Sequence, residues 1–315
     1  MTKGFSTRRI NLQPAILAWA MMLMLAAGPL HAEMKPFELN MDRVKVVDPK
    51  GLAAKTYFVP SVNLIISCHG SVWAQSKAGG GNAQAHGKFY VKGLEKTLLQ
   101  DLARQLQDDF VAKLRATGAT VLTYDDLKAD PLVAGRGRLS PDDKWGFPTT
   151  SGFSNLTYIR VTPTDEQEFE RGLAASPTFW LHALAKEKKL IVLLPEITFT
   201  VPQMWGEVES GYKRDSAGIA VNSAMMMQAG AVWVDNPQGS FTSIQIQQHG
   251  KRLAADATGT VKKMSEDTTN FSSSWGRSSS DWVMTLDPAL FSDGILSVGY
   301  AINAMTVAQV KKVQK

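Results

Sequence analysis

The chain has 315 residues, with 34 Lys and Arg against 29 Asp and Glu, one Cys and 44% hydrophobic residues. That apolar fraction supports a core in one large domain or two modest ones; the composition excludes a disordered tail, a collagen-like chain and a coiled coil, and the single Cys excludes a disulfide scaffold. The net charge of +5 alone leaves a nucleic-acid binder open.

Residues 1–13 carry Lys3, Arg8 and Arg9 and no acid, Ala15 to Ala27 are uninterrupted apolar, and Gly28-Pro29 lead to Leu30-His31-Ala32. A basic end, a short apolar run and a small residue at the cleavage point form the layout of a secretory signal. The apolar run falls short of the ~20 residues that span a bilayer. Residues 1–32 are therefore expected to be a signal peptide cleaved after Ala32, which places the mature protein in the periplasm or outside the cell. No later stretch is apolar over 18 residues, so no transmembrane helix is expected after cleavage. Loss of three basic residues takes the net charge from +5 to +2. Without a clustered basic face, no nucleic-acid partner is expected.

Residues 33–60 read as an N-terminal extension in which Val44, Val46 and Tyr57-Phe58-Val59 are candidate edge strands. Ser61 to Ile66 is β-branched and apolar between Pro60 and Gly70, the pattern of a buried strand. Cys68 follows and has no disulfide partner in the chain. Adjacent strand residues point to opposite faces, so it reads as a buried structural Cys rather than a nucleophile paired with His69. Lys77 to Gly87 is expected as a glycine-rich loop. Its three glycines lack the Gly-Lys-Ser/Thr ending of a phosphate cradle, and no cofactor is expected.

Leu98, Leu102, Leu106, Phe110 and Leu114 recur every four residues between Glu95 and Gly118, with Leu99, Ala103 and Val111 widening the stripe. This is an amphipathic helix that packs on a sheet, ended by Gly118. Ala119 to Tyr124 is a short strand, and residues 128–155 are loop-rich. The acid pairs Asp108-Asp109, Asp125-Asp126 and Asp142-Asp143 read as solvated charges. Leu156 to Val161 returns to strand alternation. Two helical pieces are expected next, the second capped by Ser176 before Pro177 and ending in the cations Lys186 to Lys189, which suit a helix C-terminus. Leu190 to Val201 is an apolar strand. Ala217 to Gln248 is β-rich, with AVWV and FTSIQIQQ flanking a turn at Asp235 to Gly239. Of Met225 to Met227, one or two should face a core. FSSSWGRSSSDW reads as a serine-rich loop, and Ile295 to Val313 after Asp287-Pro288 as a closing helix. The fold class is α/β (α+β): a mixed sheet covered by amphipathic helices in a domain of residues 61–315, with a β-rich insertion at about 196–250.

No local pattern fixes a reaction. The His residues of the mature chain, His69, His86, His182 and His249, are not clustered, and no metal site is expected from their spacing. No Ser lies between glycines at minus two and plus two, as the hydrolase elbow requires. A triad is recognised by geometry rather than order, so an exported hydrolase with a dispersed site using Ser71, His69 or His182 stands as an alternative. A glycan or small-ligand module using Trp275 and Trp282 is another.

The early strand SVNLII, the helix LLQDLARQLQDDFVAKLRATG and the strand ATVLTYDDL, followed by FWLHALAKEKK, LIVLL, AVWVDNPQGSFTSIQI and a closing helix, resemble in order the periplasmic α/β domain of the curli secretion channel family. The likeness covers residues 60–312. It implies an α/β fold, an envelope location, protein partners in the envelope and a homo-oligomer. Members of that family are lipid-anchored through an N-terminal Cys and build a barrel from two hairpins per subunit; this chain has no Cys there, the excursion after Thr200 alternates poorly, and Met204 to Ser216 contains Glu207, Glu209, Lys213, Arg214 and Asp215. The expectation is thus an exported, non-catalytic protein acting by protein contacts in envelope assembly or secretion.

Overall fold

The computed structural model describes residues 37–76, 82–136, 147–150, 156–169, 179–210, 215–239, 242–246, 252–272 and 275–314. The expected signal peptide, Asp142-Asp143 and the Ser176-Pro177 cap lie outside them.

Among the described residues, thirteen strands form one mixed sheet, and two more form a separate hairpin. In chain order the strands begin with β1 (Val44–Val47), β2 (Thr56–Val59), β3 (Asn63–Gln75) and β4 (Asn82–Lys92). Helix α1 (Lys96–Arg115), β5 (Thr120–Thr123), α2 (Tyr124–Leu127), β6 (Phe147–Thr150), β7 (Leu156–Val161) and α3 (Phe179–Lys188) follow. The second half holds β8 (Ile191–Thr200), β9 (Gln203–Ser210), β10 (Asp215–Asn222), β11 (Met225–Asp235), β12 (Thr242–Ile246) and β13 (Arg252–Ala255). It closes with β14 (Gly259–Ser272), β15 (Trp275–Leu286) and α4 (Pro288–Val313). A mixed sheet with helices and a β-rich second half is the fold class expected.

The main path of the sheet runs β1-β12-β11-β8-β3-β4-β15-β14. β1 is its edge, while β2 lies between β5 and β8, parallel to both. Two segments of the expected N-terminal extension are thus strands of the sheet itself, and β2 is an inner strand rather than an edge.

Alternation along the strands sends side chains to two cores. Tyr57, Val59, Leu193, Val232, Val234, Ile244 and Ile246 belong to the larger core with α1 and α4. Phe58 and Val192 join Leu181, Leu184 and Ala185 of α3 in the smaller one. In α1, Leu99, Leu102, Ala103, Leu106, Phe110, Val111 and Leu114 are buried, the stripe that the four-residue spacing marks out. Asp287 caps α4 by accepting hydrogen bonds from the backbone N–H groups of Ala289 (3.0 Å) and Leu290 (3.1 Å), with Pro288 at the first position, where its missing N–H costs nothing. By length and composition α4 could cross a membrane, but 61% of its most apolar 18-residue window is buried inside the fold. It is a core helix.

Small residues bring α4 close to its neighbours. A Cβ on Gly299 would lie 2.3 Å from Leu106 Cδ2, and one on Gly294 would lie 2.4 Å from Met225 Cε. Asn303 Nδ2 donates to the backbone oxygen of Leu106 and to Asp109 Oδ2, both at 2.9 Å. Asp109 also pairs with Lys113, so one member of that acid pair fastens α1 to α4 while Asp108 stays exposed. Asp126 closes a capping box with Thr123 on α2, which holds its carboxyl below the usual carboxylate range. Asp109 corrects the expectation of purely solvated acids, whereas Asp126 is an exposed acid that also serves as a cap. Met225 and Met227 are fully buried, as the triple-Met reading anticipated.

Candidate functional site

β3 and β4 are longer than the core sheet requires. β3 pairs with β8 only through Asn63 to Ile66 and with β4 from His69 to Gln75. Beyond the end of β8, the outer part of β3 together with β4, β15 and β14 forms a platform. β15 pairs with β4 in parallel from Trp275↔Asn82 to Thr285↔Lys92, and with β14 antiparallel. Two hairpins distant in sequence therefore join side by side.

This arrangement corrects two expected loops. Residues 82–87 of the glycine-rich stretch are strand, and Trp275 and the serine run Ser278 to Ser280 lie on a 12-residue strand. Serine has little strand preference, but β15 is paired on both sides, and ladder hydrogen bonds come from the backbone whatever the side chain.

One face of the platform is covered. The β9–β10 hairpin pairs Gly206 with Ile219 and packs on the platform with no room for larger side chains beneath it. A Cβ on Gly206 would lie 2.6 Å from Ala74 Cβ, and one on Gly87 would lie 2.7 Å from Ile219 Cγ2. Ala74, Ala83, Ala85 and Phe89 are buried on that side.

The opposite face is polar, and pairing arranges it in rows across the strands: His69–Tyr90–Val283, Ser71–Lys88–Asp281, Trp73–His86–Ser279 and Gln75–Gln84–Arg277. Trp73 is 55% exposed and Tyr90 50%, high for large aromatic groups. The Trp73 and His86 rings are tilted with centroids 5.7 Å apart, and His69 stacks on Tyr90 at 6.4 Å. A cavity of about 310 Å³ opens between the Trp73 and Arg277 rows, lined by Trp73, Gln84, His86, Arg277 and Ser279 together with Ala85 and Ser278. It joins an aromatic plate, a guanidinium and several neutral hydrogen-bonding groups, the composition of a ligand site.

The residues singled out in the sequence are only partly assembled. His69 and Ser71 share the polar face in neighbouring rows. His182 is on α3 against the β11–β12 turn, where a Cβ on Gly239 would lie 2.9 Å from its Cε1. That turn is at the start of β8, since Asp235 pairs with Val192, whereas the platform lies beyond the end of β8. The three do not form a nucleophile, a base and an orienting group. Cys68 occupies a bulge between Ser67 and His69, so strict alternation fails at this point and its Sγ lies 3.6 Å from His69 Nδ1. Burial nevertheless pushes the Cys68 thiol up, away from a reactive thiolate. Trp282 points to the side away from the polar rows; its Nε1 donates to Ser280 Oγ at 3.0 Å, and Lys263 Nζ lies 5.5 Å from its ring centre. Among the described residues no group of three or more His, Cys, Asp or Glu could hold a metal ion. Burial pushes the Asp235 carboxyl up to about 7. It sits on β11, away from the platform.

Sequence reasoning missed Trp73, His86, Tyr90 and Arg277. A signal was present: Gln84, His86, Lys88 and Tyr90 alternate with Ala83, Ala85, Gly87 and Phe89, the period-2 pattern of a half-buried strand. No family model, curated protein or solved structure matches the chain.

Proposed function

We propose that the protein is an exported, non-catalytic component of the cell envelope, in the periplasm or secreted, which acts by binding other envelope components in assembly or secretion through the polar face of the hairpin platform. The observation that carries this reading is the half-exposed Trp73 and Tyr90 set among Lys88, His86 and Arg277. Large aromatic groups beside Arg are the residues that anchor interfaces. Export rests on the basic, apolar and small-residue order of residues 1–32. The curli-channel resemblance supports the envelope setting and a homo-oligomer. A membrane-wall role for this face fits poorly, because a lipid-facing strand puts apolar residues outward whereas Lys88 and Arg277 are exposed here.

The test is fractionation of cells producing the full chain, followed by photo-crosslinking from positions 73 and 90. A shortened protein in the periplasm or medium, with crosslinks to envelope material at 73 and 90 and none from a control position on α1, is the expected result. Retention of the full-length chain in the cytoplasm overturns the reading.

A further inference from the structure

The polar face is treated above as a binding surface, and the next inference rests on that reading. From the Trp73–Arg277 cavity we infer a site for a carboxylated saccharide, a sugar ring bearing a uronic acid group.

Trp73 projects from β3 half-exposed, and the His86 ring packs beside it at 5.7 Å and 52°. The neighbour holds the indole in place, so little rotamer entropy is lost on binding. A flat indole face presents apolar area with a polar edge, which suits the C–H face of a pyranose. Planar cofactors would also stack there, but the remaining lining favours a ligand rich in hydroxyl groups. Gln84 and Ser279 supply donors and acceptors at neighbouring positions, and a sugar offers hydroxyl groups in such a ring-like arrangement.

The charge selects the acidic member of that class. Arg277 is directly beside Gln84 in the parallel β4–β15 ladder, within the cavity lining. Its side chain is exposed, and it forms no ion pair with an acid whose side chain the structure describes. A guanidinium offers a planar fork that matches a carboxylate in two parallel hydrogen bonds. Lys88 lies on the same face one row from His86 and adds positive potential. One neighbouring acid, Asp281, accepts a hydrogen bond from Ser265 Oγ at 3.0 Å, so it is held towards β14; another, Asp267, is on β14 opposite Ser279. The volume of about 310 Å³ is at the small end for ligand sites, which limits the buried portion to one or two sugar residues and leaves a longer chain to run along the strands.

Isothermal titration calorimetry of the mature protein with trigalacturonate and with neutral cellotriose tests this. The wild-type protein should bind trigalacturonate at least tenfold more tightly than cellotriose, with the preference shrinking when salt is raised from 0.1 to about 0.5 M. Arg277→Gln should remove the preference and leave weak binding of both sugars, whereas Trp73→Ala should weaken both by tenfold or more. Circular dichroism and melting of each variant check that it folds, and a Trp282→Phe variant, altered on the other side of β15, should bind as wild type. Absence of any wild-type binding, or wild-type preference in Arg277→Gln, overturns the saccharide assignment. If the sugars fail while Trp73→Ala abolishes envelope crosslinks from position 90, the saccharide inference falls and the binding-face reading survives; if those crosslinks also persist unchanged, both fall.

Discussion

Two halves of one sheet have opposite fates. Under α1 and α4 both the strand residues and the helices commit their apolar stripes to a sealed core, with Phe110, Leu106, Ile302 and Val232 at 0% exposure. On the platform the same alternation is closed on one side only, by the β9–β10 hairpin, and the other side keeps Trp73 and Tyr90 at half exposure. The two halves therefore tolerate change differently: a side chain on the open face can change without leaving a cavity, and one in the core cannot.

The contrast can be broken most sharply in the core. Phe110→Ala should cost about 3–5 kcal/mol by deleting a fully buried ring, and Gly299→Val about 1–3 kcal/mol by forcing a side chain into Leu106, both read by urea denaturation. The next effect is electrostatic. The carboxyl of Asp235 is raised to about 7 in the fold from an unfolded value near 4, so the folded state binds the proton more tightly. Its contribution to stability is therefore complete below about pH 4 and is lost as pH rises through about 7. Between these limits the slope approaches ~1.4 kcal/mol per pH unit, and Asp235→Asn should flatten it in denaturation measured from pH 4 to 8. On the platform, Gly206→Val should lift the β9–β10 hairpin from Ala74. The expected cost is about 1–3 kcal/mol, with faster amide exchange in β9 and β10 and little change in α1, because the units open separately. Smallest of all, Trp73→Ala should move stability by no more than about 0.5 kcal/mol, as surface changes do. A large loss of melting temperature in that variant would show that the open face is structural.

The core half was readable because its signals are local. Leu98 to Leu114 keep helical spacing on one chain segment, AVWV and FTSIQIQQ bracket a turn rich in breakers, and Asp287-Pro288 announces α4. The platform was not readable in the same way. Ser278 to Ser280 and Asn82 to Gly87 are strands because a backbone from elsewhere in the chain lies beside them, and no property of serine, glycine or alanine announces that. The small residues of β4 look like loop composition, yet their smallness is what admits Ile219 and the hairpin above Gly87. The cavity was hidden for a related reason: Trp73 and Arg277 are about 200 positions apart, and only the parallel ladder makes them neighbours. Trp275 and Trp282 drew notice through the serines between them, although that segment is a strand and Trp282 faces away from the cavity.

The joining of β4 to β15 also sets an order in time. β3 and β4 leave a ribosome or a secretion pore early when the chain moves N-terminus first, but the strand that completes their sheet starts at Trp275. Until then the β4 edge presents unpaired backbone groups, a template for wrong pairing, and the polar face has no Arg277. The long wait for a distant partner slows folding and favours a chain kept unfolded until almost all of it is through. A protein ending before residue 275 would therefore be expected to lack the β4–β15 pairing and to aggregate.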